Sequence, residues 1–143
     1  MDEILEILRK TAARTQKMFD NNKDMSLKRI ESYDTKLRSE KASEAQKVQA
    51  SLMKTLEYDR LERLSSQLSL LYILQIFAFK VKILQISTAK IGEQLQKSEL
   101  LEKTKEIEDA KNDVEKLKIL LEAQYELIRQ IGEGRKEDLF YIS

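Results

Sequence analysis

Apolar residues recur at helical spacing along most of this chain. Near the N-terminus they share one helical face: Ile4, Leu5, Leu8, Ala12, Met18 and Phe19. This spacing predicts a short amphipathic helix over residues 1–20. The polar run Asn21–Asp24 follows, and Asn and Asp side chains compete with a helix for backbone hydrogen bonds. We therefore expect a break at this run, with Asp24 or Ser26 as the N-cap of the next helix.

The second predicted helix, residues 24–86, changes character along its length. Its early part is thinly apolar and includes the polar run 38–44, which predicts either a solvated helix or a frayed segment. The apolar pattern strengthens from Ala45 onward, and residues 68–86 read LSLLYILQIFAFKVKILQI, apolar nearly all round. This is the most unusual segment of the chain, because one neighbouring helix can cover only one stripe of it.

The third predicted helix, residues 88–131, carries the most regular heptad pattern. One seam position is apolar in every heptad: Leu100, Ile107, Val114, Leu121 and Ile128. The companion position holds Lys103, Ala110, Leu117, Gln124 and Ile131. A repeat of 3.5 residues keeps one stripe against a partner helix, so the pattern is typical of a coiled coil. We expect the helix to end at Gly132 or Gly134, leaving residues 132–143 as a tail that packs back or docks on another protein.

Composition favours a few long helices and excludes several kinds of chemistry. The chain has 143 residues, 36% of them charged, with no proline, three glycines, no cysteine and no histidine. Proline and glycine punctuate turns, so their scarcity predicts few breaks. Without histidine or cysteine, the commonest general base and the Cys–His nucleophiles are absent. We therefore predict no enzyme activity, no catalytic, cofactor-binding or metal-binding residues, and no small-molecule substrate.

Charge gives no indication of a nucleic-acid partner. The formal net charge is +1, and acidic residues interrupt the modest basic cluster that runs from Lys28 to Lys41. The N-terminus lacks the basic start and apolar core of a secretory signal, so an intracellular location is expected, with signal-independent export left open.

Residues 68–86 allow three interpretations. They form the centre of an oligomeric helical bundle; they contact a membrane as a re-entrant or conditionally inserted segment; or their β-branched part, residues 76–83, forms a strand. The uncharged part, residues 68–79, is shorter than the roughly 20 residues that span a bilayer.

The predicted fold class is all-α: a long-helix antiparallel coiled-coil hairpin or three-helix bundle, assembled into an oligomeric helical bundle. The predicted function is a coiled-coil assembly, scaffold or adaptor subunit, acting through a homo-oligomer or a hetero-complex. The alternative is a lipid- or membrane-interacting helical protein, such as a pore-forming or membrane-remodelling subunit, acting through residues 68–86. The predicted interaction residues are Leu61, Leu64, Leu68, Leu71, Leu74, Phe77, Val81, Leu84, Leu100, Ile107, Val114, Leu117, Leu121 and Ile128.

Overall fold

A computed structural model describes the backbone of residues 1–142 and the side chains of residues 1–134. The chain forms three long helices: α1 (Asp2–Arg38), α2 (Glu44–Gly92) and α3 (Lys97–Ile142). No strand forms within residues 1–142, so the prediction of an all-α bundle of long helices is confirmed and the strand interpretation of residues 76–83 is wrong. The side chains of the predicted C-terminal tail, from Arg135 onward, lie outside the described residues.

Helix α1 is almost twice as long as predicted, because it continues through Asn21–Asp24 without a break. Phe19 and Ile30, on either side of the polar run, are both buried. Asn22 donates its side-chain amide to the Met18 carbonyl oxygen at 2.7 Å, inside the helix. An Asn in a helix costs at most about 0.7 kcal/mol relative to Ala, whereas each buried apolar side chain contributes about 1.5–3 kcal/mol. Packing therefore outweighs the local preference for a break.

The first break lies instead at residues 39–43, and a capping box fixes it. Gln46 donates its backbone N–H to the Ser43 hydroxyl at 3.2 Å, and Ser43 donates its own N–H to the Gln46 side-chain oxygen at 3.0 Å. This reciprocal pair satisfies two donors at the start of α2. The signature, Ser43-Glu-Ala-Gln46, is readable in the sequence, but it begins in the polar run 38–44 that we interpreted as a solvated helix or frayed segment.

Replacing Ser43 with alanine is expected to lower the free energy of unfolding by about 1 kcal/mol, since it removes the side chain that caps α2. Ser39→Ala in the same turn is the control, and it should change stability by less than about 0.5 kcal/mol. Urea unfolding followed by circular dichroism measures both variants. Equal effects of the two variants would contradict the assignment of Ser43 as the cap.

The other helix ends also differ from expectation. Helix α2 runs through Ser87 and ends at Gly92, and α3 continues through both Gly132 and Gly134. No glycine has a positive φ, so neither C-terminal glycine is a C-cap. Gly134 has a packing role instead: a Cβ atom added there would lie 2.9 Å from the Tyr58 hydroxyl. The absence of a side chain leaves room for the phenol end of Tyr58 against α3.

The chain divides into two compact units, each built from parts of all three helices. The first comprises Met1–Ala13 and Ser69–Ala123, and the second comprises Arg14–Leu68 and the chain from Gln124 onward. Within each unit, α1 and α2 are antiparallel. In the first unit Asp2 pairs with Lys82 and Arg9 stacks on Phe79. In the second, Arg29 pairs with Glu57 and Asp34 pairs with Lys54.

Candidate interaction surface

Helix α2 carries a long apolar stripe that its own unit leaves uncovered. We call this the outer stripe, and it consists of Leu70, Leu74, Phe77, Val81, Leu84, Thr88 and Ile91. Phe77 is 67% exposed, Leu84 66% and Ile91 89%, while Val81 is half-buried. Monomeric proteins rarely expose a contiguous row of large apolar side chains, and such rows usually mark an interaction surface.

The opposite side of the same turns forms the buried face of α2 in the first unit. Its residues are Ser69, Tyr72, Gln75, Ala78 and Phe79. Gln75 is 4% exposed and Phe79 is 2% exposed, and Arg9 of α1 stacks over the Phe79 ring at 5.1 Å. Soluble helices normally turn their more apolar side inward. In this segment the buried face contains Ser and Gln, while only one of the ten Leu, Ile and Val residues of 68–86 is buried and four are exposed.

The two lysines of the segment have different environments. Lys82 Nζ lies 3.1 Å from Asp2 Oδ1, so it is directed toward α1 and away from the outer stripe. The hydrogen bond from Lys82 holds the pKa of the Asp2 carboxyl below its ordinary value. Lys80 is exposed beside the outer stripe, and it forms no ion pair with any residue whose side chain is described.

Polar and charged residues also occupy the core of the second unit. Glu57, whose side chain is 9% exposed, accepts a hydrogen bond from Arg29 at 3.2 Å, and its second carboxylate oxygen has no partner within the described residues. Lys54 is buried, pairs with Asp34 and lies 5.7 Å from the centre of the Tyr58 ring. Such buried pairs contribute little net stability, but removing one partner is strongly destabilising.

The seam predicted on α3 is buried within each of the two units, with its centre shifted to the companion position. Ala110, Leu117, Gln124 and Ile131 are all buried. Of the residues predicted as the seam, Val114 is buried, Ile107, Leu121 and Ile128 are half-buried, and Leu100 is 37% exposed. In the second unit, Ser65 of α2 donates its hydroxyl to the Gln124 side-chain oxygen at 2.8 Å. The heptad pattern of α3 is therefore used within the chain.

The predicted interaction residues on α2 fall into two groups. Leu61 and Leu68 belong to the core, and Leu64 and Leu71 are half-buried. Leu74, Phe77 and Leu84 lie together on the outer stripe with Val81. The prediction missed Leu70, Thr88 and Ile91, although the alternating spacing of four and three residues continues through all three positions.

Three features bear on metal, nucleic-acid and membrane contacts. No group of three potential metal ligands occurs among the described residues. In the basic cluster, Arg29 is engaged with Glu57. Helix α2 contains an 18-residue window that is long and apolar enough to cross a membrane, by length and composition alone, and 28% of that window is buried.

Comparison of the chain with protein-family models, with curated proteins and with solved structures finds no match.

Proposed function

We propose that this chain is a non-enzymatic assembly subunit that associates with other protein helices through the outer stripe of α2. The single observation that carries the proposal is the exposure of that stripe on a helix whose opposite face already fills a core. One face of α2 packs against the other helices of the chain, and the opposite face remains exposed and can bind a partner.

The energy available from covering the stripe is substantial. Leu70, Leu74, Phe77, Leu84 and Ile91 are between 42% and 89% exposed. Complete burial of one such side chain contributes about 1.5–3 kcal/mol. Covering the unburied part of all five would therefore stabilise a complex by several kcal/mol per chain, before the cost of association is subtracted.

The test is the molar mass of the full-length chain in detergent-free buffer, measured by light scattering during size-exclusion chromatography. We expect the wild type to be a defined oligomer and Phe77→Glu to be smaller, because the substitution places a charge in the apolar contact. Ile119→Glu is the matched control. Ile119 is also 67% exposed and lies in the same unit, but on α3. A mass that is unaffected by Phe77→Glu, or equally reduced by both variants, would contradict the proposal.

A second candidate function is contact with a lipid surface, which the membrane-length apolar window of α2 favours. Lys80, exposed at the edge of the stripe, would extend its ammonium group to the headgroups. Flotation with vesicles of phosphatidylcholine and phosphatidylserine distinguishes the two functions. The lipid surface would be favoured if the wild type has the mass of a single chain in buffer and binds the vesicles. Phe77→Glu should then lose this binding, and Ile119→Glu should retain it.

A further inference from the structure

We infer that the occupant of the outer stripe is a second copy of this chain, paired with the first in parallel and in register as a two-stranded coiled coil. This inference rests on the proposed function and names the partner at the same surface.

The spacing of the stripe points to a helical partner. Successive members are alternately four and three residues apart from Leu70 to Ile91, which is the 3.5-residue repeat of a left-handed coiled coil. Thr88, the one polar member, donates its hydroxyl to the Leu84 carbonyl oxygen at 2.8 Å, so it presents no unsatisfied donor to a partner.

The residue types at the two seam positions favour two strands. In heptad notation the a positions are Leu74, Val81 and Thr88, and two of the three are β-branched. The d positions are Leu70, Phe77, Leu84 and Ile91, and two of the four are Leu. A β-branched residue at a combined with Leu at d, as in the central heptad Val81–Leu84, favours parallel dimers. Ile at both positions, or Leu at a with Ile at d, favours three or four strands, and no heptad of the stripe has either combination.

The flanking residues favour parallel, in-register pairing of identical chains. Lys80 occupies a g position, and in a parallel pair it faces the e position of the next heptad, which is the exposed Gln85 of the second copy. The ammonium group can donate to that amide oxygen. In an antiparallel pair, g positions face each other. Lys80 lies near the middle of the stripe, so aligning two antiparallel stripes would bring the two Lys80 ammonium groups together, which is unfavourable. Lys82 is held by Asp2 and takes no part.

Disulfide trapping tests the inference cleanly, because the natural chain contains no cysteine. In a parallel in-register pair, the Thr88→Cys side chains of two copies lie within disulfide distance. We expect most Thr88→Cys chains to form a covalent dimer on mild oxidation, and Ile91→Cys, which replaces a side chain that is 89% exposed, to do the same without disturbing the fold. Ile119→Cys on α3 is the control, and we expect it to remain monomeric on a non-reducing gel.

Three results would overturn the inference. Cross-linking only in a mixture of Leu70→Cys and Thr88→Cys chains would show antiparallel pairing. A wild-type mass above that of a dimer would exclude two strands. If the Thr88→Cys chain and the Ile91→Cys chain each formed a dimer in solution but no disulfide on oxidation, the proposed register would be excluded. Each leaves association through α2 standing if Phe77→Glu still lowers the mass. A mass indifferent to Phe77→Glu would instead overturn the proposed function itself.

Discussion

Leu61→Ala is expected to lower the free energy of unfolding by about 2–5 kcal/mol, because it opens a cavity in the core of the second unit. Leu61 is 2% exposed, and it lines one groove together with Leu27 of α1 and Leu127 and Ile131 of α3. These residues belong to different helices, so filling the space that the missing atoms leave would require more than one helix to shift.

Leu56→Ala is the matched control for this prediction. Leu56 lies on the same helix and in the same unit, but it is 59% exposed. Its replacement should change stability by less than about 1 kcal/mol, since little apolar surface is lost from the core. Urea unfolding at one fixed protein concentration measures both variants. If Leu56→Ala were the more destabilising variant, the opposite face of α2 would be the buried one and the packing of the second unit described above would be wrong.

Arg29→Met is expected to destabilise the chain by about 3 kcal/mol, because it leaves the buried Glu57 carboxylate without its partner. This value is at the low end for broken buried pairs, since the Arg29 side chain is itself 40% exposed. The expected effects are asymmetric. Glu57→Met should be less damaging, because water can still solvate the guanidinium group that remains.

The double variant Arg29→Met/Glu57→Met provides the internal control. Replacing both partners of a buried pair with apolar side chains is often neutral or stabilising, so the second substitution should recover most of the stability that the first removes. Thermal unfolding of the two single variants and the double variant gives the coupling between the residues. Strictly additive losses would show that Arg29 and Glu57 act independently, and would contradict the pairing.

Much of the secondary structure follows from residue types and spacing. The absence of proline and the heptads of α3 both predict long helices. The first break was misplaced because α1 and its neighbours pack continuously past Asn21–Asp24, and the stabilisation from Phe19 and Ile30 exceeds the local cost of the polar run.

The sequence by itself determined that the chain is helical, that α3 has an apolar seam and that residues 68–86 carry more apolar side chains than one partner can cover. Only the tertiary structure decided which side of α2 faces the core. A helix that is apolar nearly all round has no preferred side by pattern alone. The tertiary structure places Phe79, under Arg9 of α1, on the buried side and Lys82 beside Asp2, and it leaves Phe77 and Leu84 on the exposed side.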